Sequence, residues 1–240
     1  MIAATKNLFR QLVRMAREKR EAARLAGRPI DDVFDEIFER NHWRGAESAS
    51  GTGSDLQQTA VIVRELPKLL RRHGAVSMLD IPCGDFHWMD RVDLSGIDYI
   101  GADIVSRLVD ANNATHATEG VSFVTLNLVS DQLPRVDLVF CRDCLVHLSL
   151  DNVQAALRNI CDSGARYLLT TTFPDHPRNR DIPNGLWREI NLQAPPFNFP
   201  PPLELLNEGC TEGGGEHRDK SLGLWTIEQV RMAVNAMLTP

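Results

Sequence analysis

From Val76 onward the chain alternates short apolar runs with stretches of helical character. Residues 76–81 (VSMLDI) and 98–104 (DYIGADI) read as buried strands, and 121–127 (VSFVTLN), 136–141 (VDLVFC) and 165–172 (ARYLLTTT) follow at intervals. Residues 86–92, 104–118 and 150–161 between them read as helices, and only the third and fourth strands are joined by a short connection, LVSDQLPR. This alternation predicts an α/β domain: a mostly parallel sheet with helices on both faces and right-handed crossovers. Ligands in such sheets bind at the carboxyl ends of the strands, which singles out residues 80–85, Asp103, Asn127, 141–143 and 171–173.

The N-terminal pattern is different. Residues 5–25 place Leu8, Leu12, Met15 and Ala16 on one helical face and basic residues around the rest. We expect that face to pack across its own domain, with a membrane surface or a second copy in a homodimer as the alternatives. The GRP at 27–29 ends this helix, and a second begins at Asp31 or Asp32 with acids in its first turn. RGAESASGTGSDLQQT is a Gly/Ser-rich loop; Ser54 and Gln57 fit a capping box starting a helix that runs to about His73, kinked or divided at Pro67. Past Pro174 the chain is proline-rich and irregular to residue 202, then gives a strand at 203–206, a GGG loop, a strand at 221–225 and a closing helix. Residues 1–54 therefore read as N-terminal helices with a covering loop, and 55–240 as the main domain with an insertion at about 174–202.

Charge narrows the partners. Of the net charge of −6, residues 1–28 contribute +6, so the remaining body carries −12. An acidic body with no Lys/Arg cluster near the strand ends argues against nucleic acid. No run approaches the roughly 18 apolar residues of a membrane span, and no apolar signal-peptide core is found. Five cysteines scattered through predicted core elements suggest reduced thiols and a cytoplasmic location.

The first strand leads into LDIPCGDFHWM, where only Gly84 remains of a dinucleotide-type glycine turn. A dinucleotide brings a pyrophosphate that needs several glycines at a helix N-terminus. S-adenosylmethionine carries no phosphate and needs acids for its ribose hydroxyls and ammonium instead. Asp103, nineteen residues beyond Gly84, stands where a ribose-binding carboxylate belongs, and Asp80 or Asp85 can meet the ammonium directly or through water. Pro82 stiffens the turn, and Phe86 predicts either a displaced helix or a ring turned toward the site. The loop at 44–59 is no P-loop, because Gly53 is followed by Ser54 and Asp55 rather than Lys and Ser/Thr.

In order and spacing, MLDIPCGDF, YIGADI, LNLVSDQLPRVDLVFCRDCLVHL and YLLTTTFP resemble the motifs of class I S-adenosylmethionine-dependent methyltransferases. The resemblance implies a Rossmann-like class I methyltransferase fold with a seven-stranded sheet, its seventh strand antiparallel, and an N-terminal helical lid. NHWRGAESASGTGSD resembles the loop with which a bacterial subgroup closes over the cofactor, implicating Trp43, Ser50 and Gly51; Arg44 stands where glycine is usual. The resemblance also implies that Ile104, Asn127, Leu128 and Cys141 contact the cofactor, the middle two beside the adenine. Asn127 replaces a more frequent Asp, and its amide oxygen can accept the adenine N6 hydrogen bond.

CRDC at 141–144 has the spacing of a zinc or redox motif, but no second CxxC or paired histidine accompanies it. His147 lies just beyond the fourth strand, where the family's acceptor site opens; an imidazole can remove the proton of an attacking hydroxyl, or it can simply hold the loop. Asp143 and Arg142 can orient His147 or bind substrate, and Asp143 is a candidate ligand for a divalent cation such as Mg2+. The insertion mixes Asn179 and Asp181 with Trp187, Phe197 and Phe199, a combination suited to a ring-bearing hydroxylated acceptor. The expectation is methyl transfer to a hydroxyl of a small polar acceptor; a further resemblance, to actinobacterial mannoside O-methyltransferases, implies a sugar or oligosaccharide in polysaccharide biosynthesis. A small-molecule N-methyltransferase and a non-catalytic S-adenosylmethionine-binding module are the alternatives.

Overall fold

The computed structural model of the protein describes Ala16 and residues 19–237. Leu8, Leu12 and Met15 of the expected basic amphipathic helix lie outside the described residues; its end, 19–25, is helical. Helix α1 (Ile30–Glu39) starts one or two residues earlier than expected, because Pro29 takes the capping position and leaves Asp31 and Asp32 in the first turn. Its Val33 and Ile37 bury against Leu25.

Helix α2 (Leu56–Arg72) corrects the expected capping box. Ser54 belongs to a separate 3-10 turn, Asp55 precedes the helix with no side-chain cap, and Glu47 Oε2 accepts the Leu56 N–H at 3.1 Å instead. Pro67 does not divide the helix; Leu66, Pro67, Leu69 and Leu70 are buried on one face, and their packing offsets the one backbone bond that proline cannot donate.

Seven strands form one sheet: β1 (Ser77–Asp80), β2 (Asp98–Asp103), β3 (Val121–Thr125), β4 (Leu138–Cys141), β5 (Tyr167–Thr172), β6 (Glu204–Asn207) and β7 (Ser221–Thr226). Their order is β3-β2-β1-β4-β5-β7-β6, with β1 to β5 parallel and β7 antiparallel to both neighbours. Strand alternation divides the core. Leu79, Val139, Cys141 and Leu168 face the side covered by α4 (Leu150–Asp162) and α5 (Ile227–Met237), while Met78, Leu138, Phe140 and Leu169 face α2 and α3 (Ser106–His116). Among the described residues no helix is long and apolar enough to cross a membrane.

The expected helix at 86–92 is absent. Gly84 and Phe86 both hold positive φ, 56° and 58°, which no helical path can contain, and only a 3-10 turn at Met89–Arg91 forms. The Phe86 ring turns away from the strand ends and packs on Tyr99 and Phe123, with centroids 5.3 and 5.1 Å apart.

Candidate active site

The reversal of strand order between β1 and β4 opens a crevice at the carboxyl ends of the strands. A cavity of about 120 Å3 fills it, lined by Asp80, Pro82, Gly84, Asp85, Asp103 and Ile104 on one side and by Trp43, Ser50, Asn127 and Leu128 on others. The turn after β1 is held by Asp103, whose Oδ2 accepts the Gly84 N–H and Oδ1 the Val105 N–H, each at 3.0 Å. Asn112 donates to the Gly84 carbonyl at 2.8 Å. Gly84 itself is required: its φ is positive, and an added Cβ would meet Ser50 Oγ at 2.1 Å.

Burial governs the acids. It pushes the Asp80 carboxyl up to about 7 against a 2.7 Å hydrogen bond from Tyr99 Oη, and that of Asp103 up to about 6 against its backbone donors. Asp85 plays another part than the expected ammonium acceptor. Its two oxygens take Ser48 Oγ–H at 2.8 Å and Ala49 N–H at 2.7 Å, and so tie the loop before α2 down over the turn.

Two further expectations shift. Asn127 Oδ1 accepts Val129 N–H at 2.9 Å, while Nδ2 faces Asp31 Oδ1 at 3.2 Å, so this side chain bridges the cavity wall to α1. Cys141 is wholly buried and does not line this cavity, because alternation along β4 sends it into the core while Phe140 reaches the crevice. Gly51 lines a second cavity rather than the first, beside Trp43.

Between the two cavities lies a buried ionic cluster. Arg142 Nη2 meets Glu208 Oε2 at 2.9 Å and the Gly53 carbonyl at 2.8 Å, and Lys220 Nζ meets Asp143 Oδ2 at 2.6 Å and Glu208 Oε2 at 3.5 Å. Two cations and two anions compensate one another. The Arg142 and Lys220 charges hold the Asp143 carboxyl far below the usual carboxylate range, despite burial. This arrangement corrects two expectations. Asp143 is saturated by cations, and among the described residues no group of three or more His, Cys, Asp or Glu could hold a metal ion, so the donors do not fit Mg2+. Arg142 spends its guanidinium on Glu208 and on the covering loop rather than on a substrate.

His147 borders both cavities, in a 3-10 turn at Leu145–His147. Its Nδ1 lies 3.0 Å from the Leu186 carbonyl; since a carbonyl can only accept, Nδ1 carries the hydrogen and Nε2 keeps a free lone pair. Burial lowers its pKa to about 4, with Asp143 pulling the other way, so the ring is neutral at pH 7. The turn is gripped by residues 185–188. Gly185 N–H donates to the His147 carbonyl at 2.8 Å, and Arg188 Nη1 donates to the carbonyls of Leu145 and Val146 at 3.0 and 3.2 Å. Trp43 packs on the imidazole, centroid to centroid 5.0 Å.

The second cavity, about 330 Å3, extends from His147 past Phe173, Trp187, His217, Glu212 and Lys220. The expected acceptor residues are elsewhere. Asn179 Nδ2 donates to the carbonyls of Asn191 and Pro195, and Asp181 Oδ1 accepts the Leu150 N–H at the start of α4. Phe197 and Phe199 are buried in the core, Phe199 against Trp225. The insertion reaches the cavity through Trp187 alone of the residues singled out there. Lys220, Glu208 and His217 all come from the connection between β6 and β7, and no local motif marks them.

No protein-family model matches the chain, and no curated protein matches it. Among solved structures, 1,6-didemethyltoxoflavin-N1-methyltransferase from Burkholderia thailandensis superposes with a TM-score of 0.56 at 18% identity, over 81% of this chain and 87% of that one. The N-methyltransferase NodS from Bradyrhizobium japonicum WM9 gives 0.47 at 16% identity, over 58% and 73%. The methyltransferase domain of bacterial CtHen1 gives 0.42 at 14% identity; 48% of this chain spans 66% of that domain. The seven-stranded sheet and its order, together with the first of these likenesses, make the fold a Rossmann-like class I methyltransferase fold.

Proposed function

We propose that this chain transfers a methyl group from S-adenosylmethionine to a hydroxyl of a small-molecule acceptor. The observation that carries the reading is the crevice at the ends of β1, β2 and β4, acidic on its cofactor side and continuous through His147 with a second cavity. Asp80, Asp85 and Asp103 line the first cavity, and the one Lys or Arg lining it among the described residues, Arg142, is neutralised within the ionic cluster. No helix begins at the glycine turn, so nothing there serves a pyrophosphate. Such a site suits a cofactor bearing ammonium and sulfonium charges and no phosphate.

When bound, S-adenosylmethionine supplies an electrophilic methyl whose C–S electron pair leaves with sulfur. Asp103 would hold the ribose hydroxyls, Leu128 and Ile104 the adenine faces, and Asp80 the ammonium. Trp43 and Ser50, on the loop that Asp85 clamps, close the site over them and exclude water. His147 Nε2 takes the acceptor proton as the oxygen attacks, and the nearby Asp143 carboxylate favours the imidazolium that forms. Transfer to an amine is the second reading; it would use the same base, and the toxoflavin enzyme, an N1-methyltransferase, favours it.

Calorimetry and a methyl-transfer assay test the proposal together. Asp103→Ala should weaken S-adenosylhomocysteine binding about ten-fold or more, whereas His147→Ala should lower kcat by about 10²–10⁴-fold with little change in that affinity. Equal cofactor affinity for Asp103→Ala rules out the ribose role, and unchanged turnover removes His147 as the base.

A further inference from the structure

The second cavity has an unusual lining. Its apolar wall is mostly rings: Trp43, His147, Phe173, Trp187 and His217 line it with the Cys210 thiol, and among the described residues no Ala, Val, Leu, Ile or Met does. The rings brace one another edge to face. Trp187 lies 4.9 Å from His217 and 6.0 Å from Phe173, near perpendicular to the latter. Trp187 is nevertheless 41% exposed, so its indole presents unspent surface.

Apart from His147 Nε2, most of the charged and polar groups are already paired. Lys220 is taken by Asp143 and Glu208, Thr52 Oγ1 donates to Glu212 Oε1 at 2.7 Å, and His217 Nδ1 faces Glu189 Oε1 at 2.7 Å. A sugar entering this cavity would surrender the hydration of several hydroxyls and find few free partners, and each unmade hydrogen bond costs binding. A flat ring system loses little hydration and meets aromatic surface. An aliphatic chain would gain less than a flat ring from walls made mostly of ring faces and edges.

We infer that this cavity takes a planar aromatic or heteroaromatic acceptor, carrying its methyl-accepting group on the ring edge that faces His147. The inference rests on the methyltransferase reading and replaces the expected sugar acceptor with a ring system. Its orientation follows from the lining: Trp187 and His217 lie on the far wall, while His147 is shared with the cofactor cavity.

The test is a titration of the full chain, saturated with S-adenosylhomocysteine, with 7-hydroxycoumarin followed by fluorescence anisotropy. Methyl α-mannoside and choline are titrated in parallel by calorimetry. The coumarin should bind and the mannoside and choline should not. Trp187→Ala should weaken coumarin binding about ten-fold and Trp187→Phe by no more than about three-fold, both with unaltered S-adenosylhomocysteine affinity. Preferential binding of the mannoside or of choline overturns the inference, as does wild-type coumarin affinity in Trp187→Ala. Failure of S-adenosylhomocysteine itself to bind overturns the cofactor reading instead, so the two failures are distinguishable.

Discussion

Gly84→Ala perturbs the turn at the centre of the crevice in two separable ways. The backbone holds φ at +56°, where a Cβ-bearing residue costs about 1–2 kcal/mol. The new methyl would also meet Ser50 Oγ at 2.1 Å, closer than any real contact, so Ser50 must rotate or its loop must lift. That loop is fastened by Asp85 through Ser48 and Ala49, and the turn by Asp103 through Gly84 N–H. Lifting the loop therefore works against charge-assisted bonds of about 1.5–3 kcal/mol, and rotation of Ser50 is the cheaper response. A total near 2 kcal/mol follows, or a loss of about 4–8 °C in Tm for a chain of this size. Differential scanning calorimetry of Gly84→Ala, Ser50→Gly and the double variant separates the parts. The double variant should recover the contact contribution and retain the backbone strain, and hydrogen exchange in residues 43–54 should stay at the wild-type level in all three, since Ser50 rotates and the loop stays fastened by Asp85. A double variant no more stable than Gly84→Ala would refute the contact, and wild-type stability of Gly84→Ala would refute the strain as well.

Two further outcomes test the buried charges. Burial raises the Asp80 carboxyl from 3.8 to about 7, so its relative stabilisation is complete below pH 3.8 and lost as pH rises through 7. Asp80→Asn, whose amide oxygen can still accept from Tyr99, should therefore raise the unfolding free energy at pH 8, by an upper bound on the order of 4 kcal/mol, with the gain shrinking toward pH 5 in denaturant titrations; a pH-independent effect would contradict the assignment. Lys220→Met should cost about 3–5 kcal/mol, because it leaves Asp143 and Glu208 sharing only Arg142. A melting curve like that of the wild type would mean the cluster contributes nothing net.

The strand ends were legible because β-strands declare themselves locally. An apolar run bounded by polar residues fixes where a strand stops, and parallel topology fixes which end faces the ligand, so Asp80, Gly84 and Asp103 could be read in advance. The apolar residues of 86–92 suit a helix, but Phe86 holds a positive φ and packs on Tyr99 and Phe123, contacts distant in sequence that local pattern does not carry. His147 was visible beyond β4, yet its tautomer came from the Leu186 carbonyl, thirty-nine residues on.

The alternation of strands and helices, the crevice they open and the acids at its edge are local properties, since each depends on periodicity and composition within a few residues. Long-range packing sets what those residues face. It turned Asp143 and Arg142 from open ligands into members of a closed ion cluster, by bringing Glu208 and Lys220 from the far end of the chain. It placed Phe197 and Phe199 in the core and left Trp187 on the cavity wall, although all three share one proline-rich segment. A side chain's charge and size are written in its own residue, but its free lone pairs and exposed surface are whatever the rest of the chain leaves unpaired.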